Sequence, residues 1–203
     1  MLIGLTGQTG AGKTTVSGYL LRLGRRVIDA DVMARHVVAR GSKCILDLAV
    51  TFGAEIILAD GTLNRPRMGE IIFGDKEKRM IFNKIIFPYI QEGIFGEVER
   101  LREDGAPLIF LDAPTLFESG THTDCDKIVS VIAPLEVRRA RIISRDRLSE
   151  EQAMSRIRSQ HDDDFYTSRS NYVICNDKDL GALREQVDNL ISELELSVME
   201  VNR

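Results

Sequence analysis

Cysteine and histidine are few and scattered. Cys44, Cys125 and Cys175 form no C-x-x-C pair, and His36, His122 and His161 lie equally far apart, which excludes a zinc site of recognisable spacing. No apolar run approaches the length of a membrane span, and the first apolar segment opens at Leu2. Neither a membrane association nor a signal or transit peptide is therefore expected, and the protein should be cytoplasmic. Positive charge is not in excess: 27 Lys and Arg against 31 Asp and Glu leave a net charge of −4. That balance argues against a nucleic-acid partner held by non-specific phosphate attraction and favours a small molecule. Internal repeats and low-complexity linkers are also missing. What remains is a chain of 203 residues, 43% hydrophobic and 29% charged, enough for one α/β core with an insertion, as a monomer or weak oligomer.

One stretch organises the rest. Gly7-Gln8-Thr9-Gly10-Ala11-Gly12-Lys13-Thr14 fits G-x-x-x-x-G-K-[ST] at every position. An apolar strand, Met1 to Leu5, precedes it, and Thr14 to Leu23 carries Val16, Leu20 and Leu23 at helical spacing. The glycines let backbone N–H groups turn inward, where they and the positive end of the helix cradle phosphate oxygens. Lys13 adds charge for the β- and γ-phosphates, and the Thr14 hydroxyl can ligate the accompanying Mg²⁺. A nucleoside triphosphate is the implied ligand; ATPases, GTPases and small-molecule kinases all share the loop.

Downstream, Arg25 to Asp31 reads as a second strand with acids at its carboxyl end, where ligands of open α/β sheets sit. Asp31 opens a helical stretch from Val32 to Val38, so it is either that helix's cap or a carboxylate that accepts an alcohol's proton during phosphoryl transfer. Residues 41 to 102 turn helical: Cys44 to Phe52 is amphipathic, Asp60-Gly61-Thr62 is a turn, and Met80 to Leu101 repeats apolar residues until Pro88, which should kink or break it. The stretch is too long for a simple crossover and reads as an insertion that holds the acceptor. Leu108 to Asp112 is a buried strand, and Asp112 either holds Mg²⁺ or opens the loop at Ala113-Pro114. Glu118 is a weaker candidate.

Lys127 to Ile132 is the next strand and Leu135 to Arg145 the next helix. Arg138, Arg141 and Arg145 share one face of it, either as a solvated basic face or as a set that neutralises charge on the transferring phosphoryl. Ser149-Glu150-Glu151-Gln152 is a capping box, so residues 140 to 165 form a helical hairpin suited to a lid that excludes water. His161-Asp162-Asp163-Asp164 is expected to be a solvated loop. Tyr172 to Cys175 is the last strand, and Leu180 to Leu196 a helix packing through Leu183, Val187, Leu190, Ile191 and Leu194, with a frayed end. The expected fold is thus α/β, a P-loop NTPase-type three-layer arrangement in which helices flank a central parallel five-stranded sheet. Its core comprises residues 1–31, 105–139 and 166–203, with a helical insertion at 32–104 and a lid at 140–165.

These landmarks resemble the dephospho-coenzyme A kinase family. The resemblance rests on Ile3-Gly4-Leu5-Thr6-Gly7, Val27-Ile28-Asp29-Ala30-Asp31 with Ala34-Arg35, and Gly61-Thr62-Leu63-Asn64-Arg65 leading to Ile72-Phe73. It continues through Asn83-Lys84-Ile85-Ile86, Leu111-Asp112-Ala113-Pro114 with Leu116-Phe117-Glu118, Arg156-Ile157 with Gln160, and Ile174-Cys175-Asn176. It implies that Asp31 is the catalytic base and that Gln8, Thr9, Gly10, Ala11, Gly12, Lys13, Thr14, Thr15 and Asn176 bind ATP. It further implies that Arg65 falls in the segment that meets dephospho-coenzyme A and that Arg141 and Arg145 fall in the lid and adenine-side region, while Thr14 and Asp112 stay the Mg²⁺ candidates on their own chemistry. The chain departs from the family at Phe87, where many relatives have histidine, and at Asn64 and Thr115, which replace a frequent aspartate and leucine. Another P-loop small-molecule or nucleoside monophosphate kinase is the nearest alternative. A GTPase is disfavoured, because Asn83-Lys84-Ile85-Ile86 lacks the acid of N-K-x-D and Asp112-Ala113-Pro114-Thr115 lacks the glycine of D-x-x-G.

Overall fold

Six consecutive buried residues, Leu2–Gly7, form strand β1 at the centre of a sheet. In the computed structural model, which describes residues 1–201, the glycine-rich loop leads from β1 into α1 (Lys13–Arg22) and on to β2 (Arg26–Asp29). Helices α2 (Ala30–His36), α3 (Lys43–Phe52), α4 (Arg65–Ile72) and α5 (Lys76–Glu103) follow before β3 (Ile109–Asp112) and β4 (Lys127–Ile132). The chain ends through α6 (Leu135–Asp146), α7 (Glu150–Arg158), α8 (Asp163–Thr167), β5 (Tyr172–Cys175) and α9 (Leu180–Val201).

The strand order is β2-β3-β1-β4-β5, with β1 parallel to β3 and β4, and β4 parallel to β5. The register sets Leu5 beside Asp112 and Gly7 beside Val131. Such strands read as unbroken apolar runs because helices cover both faces of the sheet. Since the connection after β1 runs to β2 on one side of the sheet and the connection after β3 crosses to β4 on the other, the loop at the carboxyl end of β1 lies at a topological switch point, where α/β sheets bind ligands.

The chain divides into two compact units, Met1–Ile28 with Leu101–Arg203, and Asp29–Arg100. In the first, Val16 and Leu20 of α1 and Leu183, Val187, Leu190, Ile191 and Leu194 of α9 pack with Ile3, Leu5, Phe110, Val129 and Val131. Each such side chain contributes roughly 1.5–3 kcal/mol when fully buried. The expected packing face of the last helix is therefore the one buried. Ile142, Ala153 and Ile157 make a smaller cluster between α6 and α7. The second unit closes around Val38, Cys44, Leu48, Ile56, Met68 and Ile86, with Phe87 packed against them. That apolar setting gives the benzyl ring of Phe87 a role that needs no polar contact.

Three local expectations change. Strand β2 stops at Asp29, and Ala30 already begins α2, because the Asp29 carboxylate accepts from Val32 N–H at 3.0 Å and caps the helix. Helix α5 runs through Pro88 without a break. Loss of one N–H and a ring clash cost about 3 kcal/mol, and burial of Ile86, Ile94 and Val98 on the same 28-residue helix offsets it. The acidic stretch after α7 is not a plain solvated loop: Asp162 caps the five-residue α8. Among the described residues, no helix is long and apolar enough to cross a membrane. The expectation of fraying concerns the very end of the chain, where residues 202 and 203 lie outside the described residues.

Candidate active site

The loop after β1 is built so that backbone can approach backbone. At Gly7 an added Cβ would lie 2.3 Å from the Val131 carbonyl oxygen, so β4 leaves no room for a side chain. At Gly12, φ is 99° and a Cβ would lie 2.1 Å from Asn176 Nδ2. Gly12 is also the N-cap of α1; no side chain caps the helix, and its first turn carries no acid. No acid of the helix's own first turn therefore offsets the partial positive charge at that helix start, which favours holding an anion.

The loop is held from behind by the end of β5 and by α6. Asn176 Nδ2 donates to the Ala11 carbonyl at 2.7 Å. The Arg141 guanidinium donates to the carbonyls of Gly10 at 3.4 Å and Ala11 at 3.3 Å, and to Asn176 O and Oδ1, both at 3.3 Å. Lys13 Nζ forms an ion pair with Asp112 at the end of β3, and that carboxylate is largely buried. Thr14 and Thr15 are exposed at the start of α1.

Sequence candidates thus separate into groups. Gln8, Thr9, Gly10, Ala11, Gly12, Lys13, Thr14, Thr15, Asp112, Arg141 and Asn176 all fall on or around the loop of the first unit. Arg145, one turn beyond Arg141, is exposed and forms a two-bond pair with Asp146 at 2.7 and 2.8 Å, an acid that Arg156 also meets at 2.7 Å. Arg138 is instead 95% buried, with Nη2 3.7 Å from Asp163 and with Nε and Nη1 unpartnered. Burial pushes its pKa below the usual guanidinium range, and Asp163 opposes that shift. Glu118 lies 4.0 Å from His161 Nε2 and does not join the loop contacts.

Asp31 and Arg65 belong to the second unit. Asp31 sits in the first turn of α2, exposed, with no hydrogen bond or ion pair of its own among the described residues; the cap is Asp29. Arg65 opens α4, exposed, behind an N-cap in which Asn64 Oδ1 accepts from Arg67 N–H at 3.1 Å. Asparagine caps as well as the aspartate it replaces.

Three contacts were not legible beforehand. Thr9 N–H donates to Gln160 Oε1 at 2.7 Å, and Gln8 Nε2 donates to the His161 carbonyl at 3.2 Å and to Asp163 Oδ1 at 2.8 Å. Gln160 stood in a recognised motif, but nothing in the spacing tied it or Asp163 to the loop.

For magnesium, Thr14 and Asp112 offer hard oxygen donors, one hydroxyl and one carboxylate, on the two segments flanking Lys13. Among the described residues no group of three or more His, Cys, Asp or Glu gathers elsewhere. A sparse oxygen pair fits Mg²⁺, which keeps several waters and takes its other ligands from substrate phosphates.

The dephospho-CoA kinase family model matches residues 1–181. The chain is 43% identical over 185 residues to a dephospho-CoA kinase of Listeria monocytogenes, covering 91% of this chain and 92% of that one. Among solved structures, one from Thermus thermophilus superposes with a TM-score of 0.81 at 30% identity, covering 96% of this chain and 97% of that one. A dephospho-CoA kinase from Campylobacter jejuni does so with 0.73 at 26% identity, covering 95% and 96%. An intact phosphate loop, the acids and arginines around it, and a match spanning nine-tenths of the chain lead to one conclusion: the chain belongs to the dephospho-CoA kinase family.

Proposed function

We propose that the protein transfers the γ-phosphoryl group of ATP to the ribose 3′-hydroxyl of dephospho-coenzyme A, giving coenzyme A and ADP. The observation that carries the phosphate side is the start of α1, uncapped by any side chain, free of acids in its first turn, and led by Lys13. In this reading the N–H groups around Gly10 to Thr15 bind the phosphates, and Lys13 exchanges part of its pairing with Asp112 for the γ-phosphate oxygens. Arg141 and Asn176 hold the loop backbone in shape. Thr14 and Asp112 would hold Mg²⁺, which when bound neutralises charge on the β- and γ-phosphates.

On the acceptor side, Asp31 takes the hydroxyl proton. The new bond forms between the 3′-oxygen and the γ-phosphorus while the bond from that phosphorus to the β,γ-bridging oxygen breaks, and ADP leaves. Asp31 suits the task because Asp29 already caps α2, leaving the second carboxylate uncommitted. Arg65 we assign to the acceptor's anionic groups, to which its exposed guanidinium, without an ion pair among the described residues, is matched. Arg145, engaged with Asp146, acts in the lid as a structural residue unless closure releases it.

The test is ADP release from ATP and Mg²⁺ with dephospho-coenzyme A or with nucleoside monophosphates as acceptor. The reading expects release to depend on dephospho-coenzyme A and coenzyme A to form in equal amount. Preference for a nucleoside monophosphate would overturn it.

A further inference from the structure

The segment between α7 and α8 lines a cleft of about 430 Å³ together with Gln8 and Arg138, and it contacts the phosphate loop directly. Gln8, the second residue of the loop, is 98% buried, and its amide donates both to the His161 carbonyl and to Asp163. These two acceptors fix which end of the amide is nitrogen. Asp163 in turn faces Arg138, whose buried guanidinium has no other ion pair among the described residues. The carboxylate is not needed for α8 itself, since Asp162 accepts from Phe165 N–H at 2.9 Å and caps that helix.

We propose that Asp163 is a positioning residue for the phosphoryl transfer: its carboxylate, set against Arg138, holds the Gln8 side chain and through it the phosphate loop. The loop is pinned twice from one short segment, at the Thr9 backbone by Gln160 and at the Gln8 side chain by Asp163. A loop so pinned presents its N–H groups already in place, and losing a pin costs affinity for the phosphates before it costs anything at the acceptor. The charge matters as well as the hydrogen bond, because removing it leaves Arg138 buried without a counter-ion.

This rests on the reading of the loop as an ATP site, and the two fail differently. A wild-type protein that consumes no ATP ends that reading before any variant is made. If the wild type is active, a swap of donor and acceptor tests the positioning role. Asp163→Asn is expected to lower kcat/KM for ATP about tenfold, as loss of a charge-assisted hydrogen bond does. Gln8→Glu, which sets two carboxylates against each other, should lower it about a hundredfold. The double variant Gln8→Glu/Asp163→Asn restores a donor facing an acceptor and one negative charge beside Arg138, though not the bond to the His161 carbonyl, and should recover about tenfold over Gln8→Glu alone. KM for dephospho-coenzyme A should stay within about twofold throughout, and Asp164→Asn, in the same cleft but off the network, should match wild type within about twofold. Multiplying losses in the double variant would overturn the proposal. So would losses that fall equally on both substrates in step with the melting temperature, since these would mark Asp163 as merely structural.

Discussion

Two helices of this chain start within twenty residues of each other in opposite ways. Helix α1 begins on Gly12, with a left-handed backbone, no side-chain cap and no acid in its first turn. Helix α2 begins on Asp29, whose carboxylate satisfies Val32 N–H, and carries Asp31 in its first turn. Both helix starts have the same unsatisfied donors and the same partial positive charge. At α1 these are left for a ligand, and the surroundings tolerate nothing larger than glycine. At α2 one of them, Val32 N–H, is taken by Asp29, and Asp31 of the same turn has no hydrogen bond or ion pair among the described residues. In the proposed function the open start of α1 would cradle the donor's phosphates, and the capped start of α2 would leave Asp31 available as the base.

The contrast breaks most severely at Lys13. Lys13→Ala should reduce kcat about 10²- to 10³-fold, in the range seen when one preorganised charge is removed from a developing oxyanion, and should weaken ATP binding too. Isothermal titration with ATP and steady-state ADP release would check both. The two arginines of α6 sharpen the comparison next. Arg141→Ala removes the guanidinium that holds the Gly10 and Ala11 carbonyls and should raise KM for ATP about tenfold. Arg145→Ala breaks only an exposed pair with Asp146 and should change KM for ATP by less than about twofold. A loss at Arg145 equal to that at Arg141 would mean that the lid brings Arg145 to the phosphates. The smallest effect belongs to the cap: Asp29→Ala should lower stability by about 1 kcal/mol in chemical denaturation while leaving KM for ATP within about twofold, because the cap serves the fold of α2 and not the cradle.

Much of this was open to inspection of the chain alone, and the reasons differ by region. The phosphate loop was legible because its chemistry allows few residue types at eight successive positions. Strand β4 was legible because burial on both faces leaves a nearly unbroken apolar run, and the packing face of α9 because burial on one stripe leaves a helical period. The capping box at Ser149 was legible because both of its hydrogen bonds are made within four residues. Tertiary decisions were hidden. Whether Asp29 or Asp31 caps α2 depends on where β2 ends, a matter of one or two residues that apolar periodicity does not resolve. Pro88 signalled a break, but the apolar face of α5 on either side of it is long enough to carry the helix through. The one-turn α8 is too short to show a period, and the Gln8–Asp163 contact joins residues 155 positions apart. Similarly, Arg138, Arg141 and Arg145 looked equivalent on a helical face, and only packing distinguishes a buried guanidinium, one on the loop backbone and one in a surface pair.

The central claim is that Asp31, freed from capping by Asp29, is the base for a phosphoryl group anchored elsewhere by the open start of α1. Its most direct test measures ATP affinity and single-turnover phosphorylation of dephospho-coenzyme A on Asp31→Asn. ATP should bind within about threefold of wild type while the rate of transfer falls about 10²- to 10⁴-fold, the range of a lost general base. Transfer at near wild-type rate, or a loss of ATP affinity as large as the loss of rate, would contradict the account.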